Sequence, residues 1–125
     1  MARFPELQGK VALITGAGRR AGLGEGIARR LLEEGCTVVL TDIGQVRGAE
    51  MPVTAVGTDE EMAQVAAELA ASTGGQCVAM ALDVLEESQV EAVVKATVER
   101  FGRLDILVNN AGIGYLMKSL VDIDA

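Results

Sequence analysis

Gly16, Gly18, Gly22 and Gly24 punctuate residues 11–24, VALITGAGRRAGLG, directly after an apolar run, and Asp42 closes the next apolar run. Glycines at this spacing suit one kind of chemistry. Without Cβ atoms the backbone turns tightly and brings N–H groups close to an anion, and a helix starting in the turn adds the positive end of its dipole. The natural ligand is a dinucleotide pyrophosphate, and a carboxylate at the tip of the second strand accepts hydrogen bonds from ribose hydroxyls while repelling a 2′-phosphate. Gly16, Gly18, Arg20, Gly22, Leu23, Gly24 and Asp42 are therefore candidate cofactor-binding residues, and Asp42 favours NAD over NADP. Arg19 and Arg20 pull weakly the other way, because a guanidinium beside the loop can pair with the extra phosphate.

Two alignments of the loop remain open. Residues 16–21, GAGRRA, match the G-x-G-x-x-G/A fingerprint with Ala21 in third place, whereas Thr15-Gly16 followed by Gly22-Leu23-Gly24 matches a looser, threonine-started pattern. A tight strand-to-helix turn with no ligand would also use some of these glycines. A phosphate-binding loop of the nucleotide hydrolases is a poor match, since no Gly-Lys-Ser/Thr ends the stretch.

The elements that must position these residues read as an alternation of strands and helices. Residues 11–14 form a strand buried on both faces, followed by a helix with Leu23, Ile27, Leu31 and Leu32 on its apolar side. Its small residues Gly24 and Ala28 allow close approach to the sheet, Glu25, Arg29 and Glu33 line the wet face, and Gly35 ends it. Residues 37–42 are the second strand. Residues 44–57 show neither helical nor strand period and read as a long loop, before a capping box of Thr58 and Glu61 opens a helix carrying Met62, Val65, Ala66 and Leu69. Residues 77–82 are the third strand, a helix from about residue 86 carries Val90, Val94, Thr97, Val98 and Phe101 along one side, and residues 104–108 are the fourth strand. Strict alternation implies parallel strands joined by right-handed crossovers, half of a doubly wound Rossmann-type α/β sheet in a single domain over residues 1–125.

The bulk chemistry fits this class. Half of the residues are apolar but only 2% are aromatic, so the core must be aliphatic, and the 15 glycines suit closely packed layers. A net charge of −7 without a basic cluster argues against nucleic acid. Cys36 and Cys77 lack C-x-x-C spacing and there is no histidine to complete a zinc site, so they read as buried free thiols of a cytoplasmic protein. No apolar run reaches membrane-spanning length, which gives no membrane partner.

These landmarks together resemble the N-terminal half of the short-chain dehydrogenase/reductase family: LQGKVALITG at residues 7–16, Gly22-Leu23-Gly24, Asp42, Asp83-Val84 after the third strand, and Asn109-Asn110-Ala111-Gly112 after the fourth. The resemblance implies that Asp83 and Val84 contact adenine, that Asn110, Ala111 and Gly112, with Asn109, border the cofactor and brace the sheet, and that Asp42 holds the ribose. It departs from the family in two places: the loop between Gly16 and Gly22 is two residues longer than usual, and the loop after Asp42 is longer too. The family's catalytic serine, tyrosine and lysine, and its supporting asparagine, lie beyond the equivalent of Ala125, so the sheet is expected to be truncated after its fourth strand and the isolated chain to lack turnover. Tyr115, Lys118 and Ser119 do not replace them, because Lys118 follows Tyr115 at i+3 rather than i+4 in a segment with no established helix. The implied activity of the complete enzyme is hydride transfer between a nicotinamide and a carbonyl or alcohol carbon. The alternative is a non-catalytic NAD-binding or interaction module on the same fold. The uncovered fourth-strand side is expected to drive self-association or pairing with a second half.

Overall fold

The computed structural model describes residues 3–43 and 59–111. The loop at residues 44–57, Thr58 of the capping box, Gly112, and Tyr115, Lys118 and Ser119 lie outside the described residues.

Among the described residues, four strands form one parallel sheet: β1 (Val11–Ile14), β2 (Thr37–Asp42), β3 (Cys77–Ala81) and β4 (Ile106–Val108), in the spatial order β3-β2-β1-β4. Three α-helices connect them: α1 (Leu23–Glu33), α2 (Asp59–Thr73) and α3 (Glu87–Phe101). The chain moves outward from β1 to β3 and then returns to the other side of β1 for β4, so the strand order reverses at β1. In such sheets the crevice at the carboxyl ends of the strands flanking that reversal is where ligands bind.

Side chains alternate across the strands and divide the core in two. Ala12, Ile14, Val38 and Leu40 pack with Ala28 and Leu32 of α1 and with Met62, Val65, Ala66 and Leu69 of α2. Leu13 and Val39 face the other way and meet Leu82, Val93, Val90 and Phe101 on the α3 side. All four residues of β1 are buried, as a central parallel strand requires. Helix α1 ends in a Schellman motif: Gly35, at φ +92°, donates its N–H to Leu32 O, and the Cys36 N–H reaches Leu31 O. Glu34, at the α1 C-cap, is buried and accepts the backbone N–H groups of Arg3 and Phe4, with Arg30 paired to it one turn back. Burial pushes its carboxyl up, but the N–H groups of Phe4 and Arg3 and then Arg30 outweigh this and hold it below the usual range.

Several details differ from the sequence reading. Leu23 is 73% exposed because it lies at the first helical position, outside the row Gly24, Ala28, Leu32 that meets the sheet. On α3, Val90, Thr97 and Phe101 pack as expected and Val93 joins them, whereas Val94 and Val98 are exposed, so the packed stripe is rotated slightly from the one the sequence suggests. Leu107 on the edge strand β4 is also exposed. On α1, Arg29 donates to Ser72 of α2 and Glu25 accepts the Ala21 N–H, so these residues fasten neighbouring segments. Both cysteines are free thiols, as the sequence implied, though Cys77 is only half-buried. Burial still pushes its thiol up to about 12, which leaves little thiolate at neutral pH.

Strand β4 begins later than the sequence pattern suggested because Asp105 serves as a clasp. Its carboxylate takes a two-pronged contact from Arg103 at 2.7 and 2.8 Å and accepts the Val11 N–H at 2.9 Å, while its own N–H donates to Val11 O. Arg103, followed by the Val11 N–H, holds the Asp105 carboxyl below the usual range. A lowered folded-state pKa gives stability that is present above the unfolded value, about 3.9, and is lost as pH falls through the folded value. Urea midpoints measured from pH 7 down to pH 2 should therefore fall more steeply for the wild type than for Asp105→Asn below about pH 4. Parallel profiles would show that the clasp does not couple to folding.

Candidate functional site

Parallel strands bring their carboxyl ends to one rim, so the glycine loop after β1, Asp42, the 82–84 segment and the 109–111 segment share that rim. Thr15 ties the end of β1 to the end of β4. Its hydroxyl accepts the N–H groups of Asn110 (3.1 Å) and Ala111 (3.0 Å), and its own N–H donates to Val108 O at 3.1 Å. The Asn110 amide then donates to Gly16 O at 3.2 Å. On the other side, the Ala17 N–H donates to Thr41 O at 2.9 Å and the Gly18 N–H to Asp42 Oδ2 at 2.9 Å.

The close approaches account for the glycines. A Cβ on Gly16, which sits at φ +67°, would stand 2.6 Å from Ala111 Cα; one on Gly18 would stand 2.9 Å from Asp42 Cβ. At Gly24 it would stand 2.7 Å from Ala17 Cβ and 3.1 Å from Asn110 Nδ2, so this glycine lets α1 press against the strand end. Gly22 is the N-cap of α1, in extended conformation and with no side-chain capping bond. The first-turn N–H groups that follow it have no acceptor within the helix and point their partial positive charge toward the rim.

The structure decides between the two loop alignments. Ala21 lies at φ +56° inside a turn closed by the Gly22 N–H on Arg19 O, one residue before the helix cap, so Gly22-Leu23-Gly24 opens the helix and Ala21 takes no helix-packing role. The loop's extra length carries this turn outward to α2. There the Arg20 N–H donates to Glu61 at 2.7 Å, and its guanidinium donates to Gln64 at 3.1 Å and forms a two-pronged pair with Glu68. Each partner holds the other's charge: Glu68 raises the Arg20 pKa, and Arg20 lowers that of Glu68.

Asp42 is buried and binds backbone on both sides, Gly18 N–H through Oδ2 and Ile43 N–H at 2.8 Å through Oδ1. A carboxylate has about four lone-pair positions, so each oxygen retains capacity for a hydroxyl donor. Asp83 accepts the Leu85 N–H at 3.0 Å and its own N–H donates to Gln89, which makes it the turn residue ahead of α3. Val84 is 45% exposed. Asn109 is exposed and Asn110 half-buried. The rim thus gathers Gly16, Gly18, Gly22, Gly24, Asp42, Asn110 and Ala111, while Leu23 and Val84 are exposed beside it and Arg20 is held on α2.

Sequence reasoning did not single out Thr15 as a brace, nor the α2 residues that hold Arg20. Glu61, Gln64 and Glu68 do recur at helical spacing, but such a row reads as an ordinary solvated face until its opposite loop is known. No group of metal-ligating side chains occurs among the described residues. A cavity of about 460 Å³ opens at the opposite ends of the strands, between Glu33, Gly35, Thr37 and Gly74, away from the glycine loop.

Comparison with known proteins places this geometry in a family. Residues 10–124 match the short chain dehydrogenase family model, and the chain belongs to that family. It is 36% identical over 108 residues to an uncharacterized oxidoreductase of Methylorubrum extorquens, covering 86% of this chain and 37% of that protein. Carveol dehydrogenase from Mycobacterium avium in complex with NAD superposes with a TM-score of 0.79 at 35% identity, covering 94% of this chain and 40% of that one. A short chain dehydrogenase from Mycobacterium paratuberculosis bound to NAD gives 0.75 at 30% identity, over 87% of this chain and 39% of that one. The chain therefore spans well under half the length of these relatives.

The tightness of the loop has a measurable consequence. Gly24→Ala should destabilise the fold by about 1–3 kcal/mol through overpacking against Ala17. Gly26 offers a control on the same helix: a Cβ there meets nothing within 4 Å. Gly26→Ala should stabilise by up to about 1 kcal/mol through helix propensity. Urea unfolding of both variants checks the pair; equal effects would mean that Gly24 is not pressed against the strand end.

Proposed function

We propose that residues 1–125 form the dinucleotide-binding domain of an NAD-dependent oxidoreductase that moves a hydride between the nicotinamide and a carbonyl or alcohol carbon. The observation that carries this reading is the rim itself: a helix N-terminus capped by a bare glycine, a loop with no room for a Cβ at Gly16 or Gly18, and a buried carboxylate touching that loop. The fit is chemical as well as spatial, since a pyrophosphate suits first-turn N–H groups and a ribose diol suits a carboxylate. Membership of the family and the NAD-bound neighbours support the same cofactor.

In this reading Gly22, Leu23 and Gly24 present backbone to the pyrophosphate, Gly16 and Gly18 clear its approach, and Asp42 accepts the ribose hydroxyls. Asp83 and Val84 border the adenine, and Asn110, Ala111 and Gly112 line the nicotinamide side while Thr15 ties β4 to β1. The nicotinamide supplies the hydride chemistry when bound. Proton transfer to or from the substrate needs serine, tyrosine and lysine groups in the family's arrangement, which these 125 residues do not carry, so this chain alone is proposed to bind without turnover. Two free thiols fit a reducing cytoplasm, and no described helix is long and apolar enough to cross a membrane. The exposed apolar residues Leu107, Val94 and Val98 support association through the β4 side; a monomer in sedimentation at high concentration would remove that part of the reading.

Calorimetric titration with NADH and NADPH tests the proposal. NADH should bind more tightly, and Asp42→Ala should weaken it by roughly tenfold or more, the worth of about 1.5–3 kcal/mol for hydrogen bonds to a charged group. Tighter NADPH binding by the wild type, or NADH affinity indifferent to Asp42, contradicts it.

A further inference from the structure

The turn that lengthens the glycine loop has a destination. Glu61, Gln64 and Glu68 form a row on α2, and Arg20 is fastened to all three: by its backbone N–H to Glu61, by Nη2 to Gln64, and by Nη1 and Nη2 to Glu68. A two-pronged guanidinium–carboxylate contact fixes direction as well as distance. Gly18, two residues earlier, touches the Asp42 carboxylate at 2.9 Å, so the segment leading to Arg20 departs from the group proposed to sort the ribose.

Resting on the dinucleotide reading above, we propose that Glu68 is a cofactor-specificity residue: by holding the Arg20 guanidinium on α2, it withholds from the adenosine ribose the cation that a 2′-phosphate requires. Selection of NAD then has two parts. Asp42 repels the phosphate directly, and Glu68 occupies the arginine that would otherwise compensate. The hold is reversible, because both side chains are well exposed, 44% for Arg20 and 61% for Glu68, and exposed ion pairs are weak. A phosphate dianion can therefore take the guanidinium once the competing carboxylate is gone. Glu68 touches neither cofactor nor substrate in this account; it acts through Arg20.

The test compares NADPH and NADH affinities of the chain at low salt. Glu68→Gln should raise the NADPH-to-NADH affinity ratio about three- to tenfold, and Glu68→Lys should raise it further. The shift should shrink in about 0.5 M salt, where the Debye length is only a few ångströms. In an Arg20→Gln background the Glu68→Gln substitution should move the ratio less than about twofold, which a general change of surface charge or of stability would not produce. An unmoved ratio with NADH binding intact, or the same shift with Arg20 already removed, overturns the proposal while leaving the dinucleotide reading standing. Failure of the unsubstituted chain to bind either dinucleotide removes the reading and this inference together.

Discussion

The constraint on which the structure turns is that β1 is a central strand whose successor residues must satisfy both neighbours. Leaving β1, Thr15 is bound to the end of β4, Ala17 to the end of β2, and Gly18 to the carboxylate that closes β2. A backbone pinned on two sides within a few residues has little room for side chains. That is why Cβ atoms at 16, 18 and 24 would all collide, and why the following helix starts where it does. The anion-binding role proposed for the rim follows from this: early amides are used to hold the loop, and those of the α1 first turn remain directed outward.

The same pinning gives Asp42 two jobs. Its oxygens accept Gly18 and Ile43 N–H groups, so the carboxylate that is proposed to read the ribose also sets the distance between β2 and the loop. In the proposed reading, cofactor choice and loop geometry are coupled through one side chain. The lengthened turn adds a second coupling, from the loop to α2 through Arg20, and brings an acidic helix face into the electrostatics of the site.

Much of this was legible in the sequence. The bounds of β1 and β2 were readable because buried parallel strands are continuous apolar runs with sharp ends, and the end of α1 because Gly35 adopts positive φ at its C-terminus. The α3 stripe was readable only in part: Val90, Thr97 and Phe101 pack, but Val93, Val94 and Val98 lie near the edge of the stripe, and only the sheet chooses which of them it covers. The bonding of Asp42 to Gly18 and the capture of Arg20 by Glu68 were beyond pattern reading for a shared reason: each joins segments far apart in sequence, and nothing in a local period says which loop a polar row will meet.

Backbone amide chemical shifts of the isotopically labelled chain, followed as NAD is added, test the central claim most directly. The account predicts that the largest changes fall on Gly18, Gly22, Leu23 and Gly24, with Ile43 moving as Asp42 takes on the ribose and the strand interior at Val38 and Val39 nearly still. Changes gathered instead around Glu33, Gly35, Thr37 and Gly74, at the opposite ends of the strands, would contradict it.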